Sequence, residues 1–406
     1  MGQLSAVGTY LPPWGSHTVR VAGRDEDVVT MGVAAGRAAL SGRSETVGRV
    51  VLVSRDLPLL DGGNGAALLA GLGLPSDVPV VEQVGGAPAA LDAVAGAAPG
   101  TLVIAADLAP AGAAAVLVDT VGPEVEPVAR VTRSLPVRAR GRDGVTRDYD
   151  DPRLERDRGA GVAVDRLALP SKPAVVAGLA ARQASALAEG RPPALPTTGA
   201  SAALFALAAL TGAGLVLAVE QASAAAVTVD GLPAVVRRDE RSAAPMDVQR
   251  ETPGPEIALP LAAYERAFTP KLRWEAAACA ACGTLAFPPR YRCLGCGAEG
   301  RWAAVPLPRT GEVYTAVTVH VPVPGIATPY SLVIVELDDV GVRALVPVTG
   351  VRAGTAGIGD RGRLVFRRMA VRTGIPDYGY ALLPERPDEV DGWVTTAGSP
   401  ATEGGR

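Results

Sequence analysis

The feature that most constrains this chain is Cys279-Ala280-Ala281-Cys282, followed after ten residues by Cys293-Leu294-Gly295-Cys296, because these are all the cysteines it has. Two C-x-x-C hooks joined by a short loop gather four thiolates around one ion, and tetrahedral Zn²⁺ suits four sulfur ligands. Each hook ends in a glycine, Gly283 and Gly297, which lets the backbone turn beneath the metal. A pair of disulfides is the alternative, and it requires an oxidising compartment for which the sequence offers no sign. Read as a metal site, Cys279, Cys282, Cys293 and Cys296 hold one structural zinc per chain, since four thiolates leave the ion no open position for water or substrate.

The same inventory restricts everything upstream. His17 and His320 are the only histidines, so a Cys nucleophile with a His partner is excluded from all residues before the ribbon. With 406 residues the chain is long enough for two or three domains, and a net charge of −3 does not point to nucleic acid. The N-terminus has no charged region followed by an apolar one, and no run approaches about twenty apolar residues. The expectation is a cytoplasmic protein with no membrane partner.

Along the first part, acidic Asp25-Glu26-Asp27 opens an amphipathic helix carrying Val28, Met31, Ala35 and Ala38 at helical spacing. Apolar runs at 49–54, 78–84, 101–106 and 113–118 read as strands, with small-residue helices at 64–72 and from Ala89 onward, which predicts an α/β fold with a mainly parallel sheet. The mixed-sign stretch 147–158 reads as a solvated face. A helix after Thr197-Thr198-Gly199-Ala200-Ser201 and strands at 214–220 and 224–229 repeat the earlier order, so an internal duplication is inferred. Residues 236–256 carry charge and proline without periodicity and read as a linker. Residues 257–304 form a helical arm and the zinc ribbon. Short strands at 312–321, 331–337, 342–348 and 363–369 without helices predict a small barrel over 305–386. The tail, 387–406, reads as disordered.

Two resemblances emerge from these residues. The C-terminal part, through both hooks, Phe287-Pro288-Pro289-Arg290, Trp302, Gly311-Glu312-Val313-Tyr314-Thr315 and Ile358-Gly359-Asp360, resembles the zinc-ribbon/OB-fold proteins that partner acyl-CoA thiolases. Residues 1–235, through Gly8-Thr9-Tyr10-Leu11-Pro12, Gly23 to Met31, Val103 to Asp107, Ala111 to Ala115 and Thr198-Gly199-Ala200-Ser201, are similar to the 3-hydroxy-3-methylglutaryl-CoA synthase branch of the thiolase superfamily. The fold class implied is α/β: a thiolase-like duplicated α/β/α layered domain, truncated, followed by a rubredoxin-like zinc ribbon and an OB-fold β-barrel.

The departures carry as much weight. Where the synthase family's nucleophilic Cys starts a helix this chain has Val84-Gly85-Gly86-Ala87, where its acidic base follows a strand it has Ser54-Arg55-Asp56, and its catalytic His has no counterpart before His320. Without those groups acyl-enzyme formation and enolate generation lose their agents, so no catalytic residue is expected. The resemblance then implies a non-catalytic scaffolding subunit that docks a thiolase-family protein and handles a coenzyme A thioester, with self-pairing through the thiolase-like domain as a further expected contact. Arg361, Arg363, Arg367 and Arg372 on the last strand are the candidate CoA-binding residues, although Arg367 and its neighbour Arg368 must face opposite ways on a strand. The loop Pro322 to Pro329 is a candidate ligand or partner contact. Two alternatives stand beside this: a thiolase-superfamily enzyme acting alone through carboxylates such as Asp56 or Asp107, and an OB-fold nucleic-acid-binding protein stacking bases on Tyr314, Phe366 and Tyr330.

Overall fold

The structure is a computed structural model that describes residues 2–43, 46–60, 62–132, 138–141, 145–149, 151–385 and 394–395. Strands β1 (Gln3–Leu11), β2 (Arg49–Val53), β3 (Val80–Gln83), β4 (Thr101–Leu108) and β5 (Ala111–Asp119) lie side by side in the order β1-β5-β4-β2-β3. β5 is antiparallel to β1 and β4, whereas β4, β2 and β3 run parallel. A second sheet of β6 (Val125–Val131), β7 (Val175–Ala177), β8 (Gly214–Glu220) and β9 (Ser223–Val229) has the order β6-β9-β8-β7, with two antiparallel steps and then a parallel one. The order and sense of β1-β5-β4-β2 therefore recur as β6-β9-β8-β7. The duplication inferred from sequence is present, and among the described residues the second copy has no counterpart of β3.

Helices fill the layers. α1 (Val28–Leu40) and α2 (Asn64–Leu72) cover the outer face of the first sheet, packing on Leu52, Leu102, Ile104 and Leu117. α3 (Ala87–Ala95) lies between the sheets. α4 (Pro152–Arg158) buries no residue, as its mixed charges predict, and α5 (Ala160–Leu167) and α6 (Ala181–Leu187) cover the outer face of the second sheet at Leu215, Leu217 and Val219. α7 (Ser201–Ala208) joins α3 in the middle layer, and all of its residues are buried, the condition under which a helix apolar on every side is stable. The α1 start is set by Asp27, whose carboxylate accepts from Val29 and Thr30 while the Thr30 hydroxyl takes the Asp27 N–H in return.

The expected linker does not begin at 236. Val236–Glu240 is a strand, β10, parallel to β1 in the first sheet, with Val7 beside Val236 and Leu11 beside Glu240. Its charges hid it: Val236 and Asp239 are both buried, on opposite faces, and Asp239 is satisfied by Arg363 at 2.6 Å. Farther along the same segment, Arg250–Glu251 pairs with Ala327–Thr328. The expected disordered tail lies outside the described residues, apart from Val394–Thr395 beside β10.

Helix α8 (Leu261–Phe268) runs into one wider turn, Thr269–Arg273, and ends at Trp274, whose φ is 60°. The ribbon follows as β11 (Glu275–Cys279), β12 (Leu285–Ala286) and β13 (Trp302–Pro306), in the order β12-β11-β13. The barrel has five strands, one more than its sequence suggested: β14 (Thr310–Val319), β15 (Tyr330–Leu337), β16 (Arg343–Pro347), β17 (Arg361–Arg372) and β18 (Ile375–Pro384), ordered β16-β15-β14-β17-β18. A bridge between Val348 and Leu382 closes it. The barrel does not hang from a tether. Phe366, Tyr378 and Trp274 share one core with Met31 and Val33 of α1. Among the described residues no helix is long and apolar enough to cross a membrane.

Candidate functional site

The two hooks close on one point. The Sγ atoms of Cys279, Cys282, Cys293 and Cys296 all lie within 4.8 Å of one another. Cys279 and Cys296 are 3.7 Å apart and Cys282 and Cys293 3.5 Å, against an edge of about 3.8 Å for a tetrahedron with Zn–S arms of ~2.3 Å. The turns that make this fit are Gly283 (φ 74°) and Gly297 (φ 75°), the second bonding back to the Cys293 carbonyl at 3.0 Å. The Thr284 hydroxyl, 3.1 Å from Cys282 Sγ, together with the Thr284 amide holds that thiol down to about 6, so it presents as thiolate, the form a metal needs. The four cysteines are positioned for metal binding.

Trp274 ties this site to the barrel. Its ring meets Phe287 of the ribbon at 4.9 Å and Tyr380 of β18 at 5.1 Å, and its indole N–H donates to the Pro308 carbonyl at 3.0 Å.

In the layered domain, the carboxyl ends of β2, β3 and β8 meet at the start of α3, where sheets of this kind leave a crevice for a ligand. Here that place is closed. Arg55, just past β2, forms an ion pair with Glu220 at the end of β8. A Cβ on Gly86 would stand 2.2 Å from Glu220 Oε1, so the Glu220 carboxylate occupies the space a side chain would take there and would have to swing aside to admit one. Asp107, one of the two carboxylates considered for chemistry, is engaged in structure: its Oδ1 accepts from the Ala200 N–H and its Oδ2 from the Ser201 N–H, both at 2.8 Å, at the amino end of α7. Burial pushes its carboxyl up, and those bonds oppose the shift. Asp56 accepts from Leu108 N–H at 3.4 Å. Both His17 and His320 are exposed and lie outside this region.

The four candidate arginines do not converge on one site. Arg367 is 1 % exposed, its Nη2 is 3.2 Å from Glu26, and it is withdrawn from any phosphate. Arg363 pairs with Asp239, Arg361 with Asp338 at 2.8 Å, and Arg372 faces Asp377 at 3.8 Å. Arg368 does point away from Arg367, yet it too turns to the layered domain, donating to the Arg24 carbonyl at 2.9 Å. The strand they occupy is a docking strand, which its sequence alone did not signal. Nor do the aromatics form a stacking platform: Phe366 is buried against Tyr378 and Tyr380, and Arg343 lies 3.5 Å over the Tyr314 ring. The loop from Pro322 does border a cleft of about 250 Å³, where Ile326 and Tyr330 of the barrel face Trp14, Arg24 and Arg368.

Comparisons with known proteins bear on both halves. The model of the ChsH2 rubredoxin-like zinc ribbon domain matches residues 270–300, and that of the ChsH2 C-terminal OB-fold domain matches residues 304–367. A DUF35 domain-containing scaffold protein of Methanocaldococcus jannaschii is 32% identical over 110 residues, covering 26% of this chain and 77% of that protein. Among solved structures, the Ltp2-ChsH2(DUF35) aldolase is similar at 29% identity over 30% of this chain and 90% of that one, with a TM-score of 0.25. PksG, a HMG-CoA synthase from Bacillus subtilis, is similar over 57% of this chain and 79% of its own, at 14% identity and a TM-score of 0.43.

Proposed function

Because the chain belongs to the DUF35 domain-containing family through its zinc ribbon and barrel, we propose that it is a non-catalytic scaffold subunit that docks a thiolase-type enzyme and helps hold that enzyme's acyl-CoA. The observation that carries this reading is the filled crevice at α3: Arg55 and Glu220 pair across the two sheets where a nucleophile would stand, and the residue there is Gly86, which has no side chain to react. A layered fold with no cysteine and with Gly86 at the nucleophile position, fused to a ribbon and barrel, is suited to presenting surfaces. One structural zinc held by Cys279, Cys282, Cys293 and Cys296 fixes the ribbon, and Trp274 passes that rigidity to the barrel.

Two surfaces serve the docking role. β3 ends the first sheet with Val81 and Val84 exposed, an unpaired edge suited to a second thiolase-like sheet, from a partner enzyme or another copy of this chain. The cleft beside Ile326 and Tyr330, with Arg24 and Arg368 at its wall, is where a CoA thioester would be shared with the partner, in place of Arg361, Arg363, Arg367 and Arg372. The test is to purify the chain alone and together with a thiolase encoded beside it, and to assay thiolysis of acyl-CoA. Activity confined to the mixture is the expected result, and full turnover by the isolated chain would overturn the reading.

A further inference from the structure

A second cavity, of about 190 Å³, lies in the joint between α1 and the barrel strand β17, away from both the metal cluster and the crevice at α3. Its apolar wall is Val33 of α1 with Leu364 and Phe366 of β17, and its polar side carries Arg37 and Arg309. Those two guanidinium groups are neighbours, because Nη1 of each donates to the same carbonyl oxygen, that of Gly71, at 3.4 and 3.2 Å.

The other charges around this cavity are matched. Arg363 has Asp239, and Arg367 has Glu26. Among the described residues neither Arg37 nor Arg309 has a carboxylate within ion-pairing distance. Gly71 sits in the last turn of α2, and the negative end of that helix favours a cation. One arginine meets that need, so the second adds a like charge beside the first. The Arg309 guanidinium lies 4.9 Å over the Tyr380 ring, yet burial still pulls it below its ordinary value, and a half-buried cation beside another one is costly unless an anion joins them.

We propose that this cavity binds a short-chain carboxylate, with the carboxylate bridging Arg37 and Arg309 and the alkyl end against Val33 and Phe366. Each guanidinium of the pair can donate to one of the two oxygens of a carboxylate, whose charge offsets one of the two positive charges. The volume admits a few carbons beyond the headgroup, and an entire CoA is too large for it. The site is built from both modules, so its occupant bridges α1 and the barrel.

The test is isothermal titration of the full zinc-loaded chain with butyrate, butyramide and inorganic phosphate at constant ionic strength. Butyrate should bind saturably and butyramide should not. Arg37→Gln should weaken butyrate at least about tenfold, the loss of one charge-assisted bond, while Ala34→Phe, which fills the cavity from α1 and keeps both charges, should abolish binding. The proposal is overturned if butyrate does not saturate, if phosphate binds as tightly as butyrate, or if both variants bind butyrate like the parent chain. Should Arg37→Gln fail to fold, Ala34→Phe alone decides, because unchanged butyrate binding by it places the anion elsewhere.

Discussion

Arg367 donates from Nη2 to the phenolic oxygen of Tyr10 at 2.9 Å, a bond that spans 357 residues of sequence and joins the barrel to the first strand of the layered domain. The Tyr10 hydroxyl in turn donates to Glu26, whose carboxylate faces the same guanidinium. Burial alone would pull the Arg367 guanidinium down, but Tyr10, Glu26 and Asp25 outweigh it and hold the charge in place. A second link lies beside it, from the Tyr378 hydroxyl to Asp27 at 2.9 Å. The two modules thus share a buried polar seam as well as an apolar core, and the seam dictates their relative placement.

Removing one member of the seam should be costly. Arg367→Met leaves Glu26 buried without its counter-ion and is expected to lower stability by about 3–5 kcal/mol in chemical denaturation. Adding Glu26→Gln should recover part of that loss, since it removes the stranded charge. A double-mutant cycle showing simple additivity would mean the two side chains do not act together.

Glu26 also gives a pH test. Burial raises its carboxyl, against the pull of Arg367. A carboxyl raised in the folded chain contributes most below its unfolded value, and that contribution is lost as pH rises through the folded value. Glutamine does not titrate. The stability of the parent chain relative to Glu26→Gln should therefore decline as pH rises from the ordinary carboxylate range, about pH 4, measured by urea denaturation at each pH, and a rising difference would contradict the assignment.

How much of this was written in the sequence differs from element to element. The hooks at Cys279 and Cys293 carry their geometry in their spacing, and the apolar runs of β4 and β5 and the duplicated order of strands could be read directly because each is a local pattern. β10 could not. Val236-Arg237-Arg238-Asp239-Glu240 looks like a linker, and what makes it a strand is its long-range ladder with β1, its buried Asp239 being met by Arg363 of the barrel. The seam was hidden for the same reason: Asp25-Glu26-Asp27 carries a local signal for a helix start, which Asp27 fulfils, while their barrel partners, Arg367 for Glu26 and Tyr378 for Asp27, lie more than 340 residues away. The arginines of β17 looked like a phosphate site because sequence shows charge and not what faces it.

Asp107 should prove structural. Asp107→Ala strips the acceptors from the Ala200 and Ser201 N–H groups at a fully buried helix start, for an expected loss of at least about 2 kcal/mol in thermal or chemical denaturation. A variant of unchanged stability would return Asp107 to the list of groups available for chemistry.

The edge of the first sheet can be probed without disturbing the core. Val81 is 42% exposed on β3, so Val81→Lys should leave the melting temperature within a few degrees while weakening self-association or capture of a thiolase-type partner, as charges at sheet edges do. Sedimentation of the chain alone and of the mixture separates the two cases. Unaltered assembly in both would remove β3 from the docking surface.

The zinc ligands offer the last test. Metal binding displaces protons from the thiols, so acid drives zinc out, and a ligand with a lower thiol pKa keeps the ion to lower pH. Thr284 is what holds Cys282 down to about 6. Thr284→Val removes the hydroxyl 3.1 Å from that sulfur and retains the amide, so the Cys282 thiol should rise and half of the zinc should leave at a higher pH than in the parent chain. A colorimetric chelator followed across pH 7 to pH 4 reads this out, with the ribbon's fold monitored through the fluorescence of Trp274, which packs on Phe287 within the ribbon. Zinc release at the same pH in both proteins would show that the Thr284 hydroxyl does not support the thiolate.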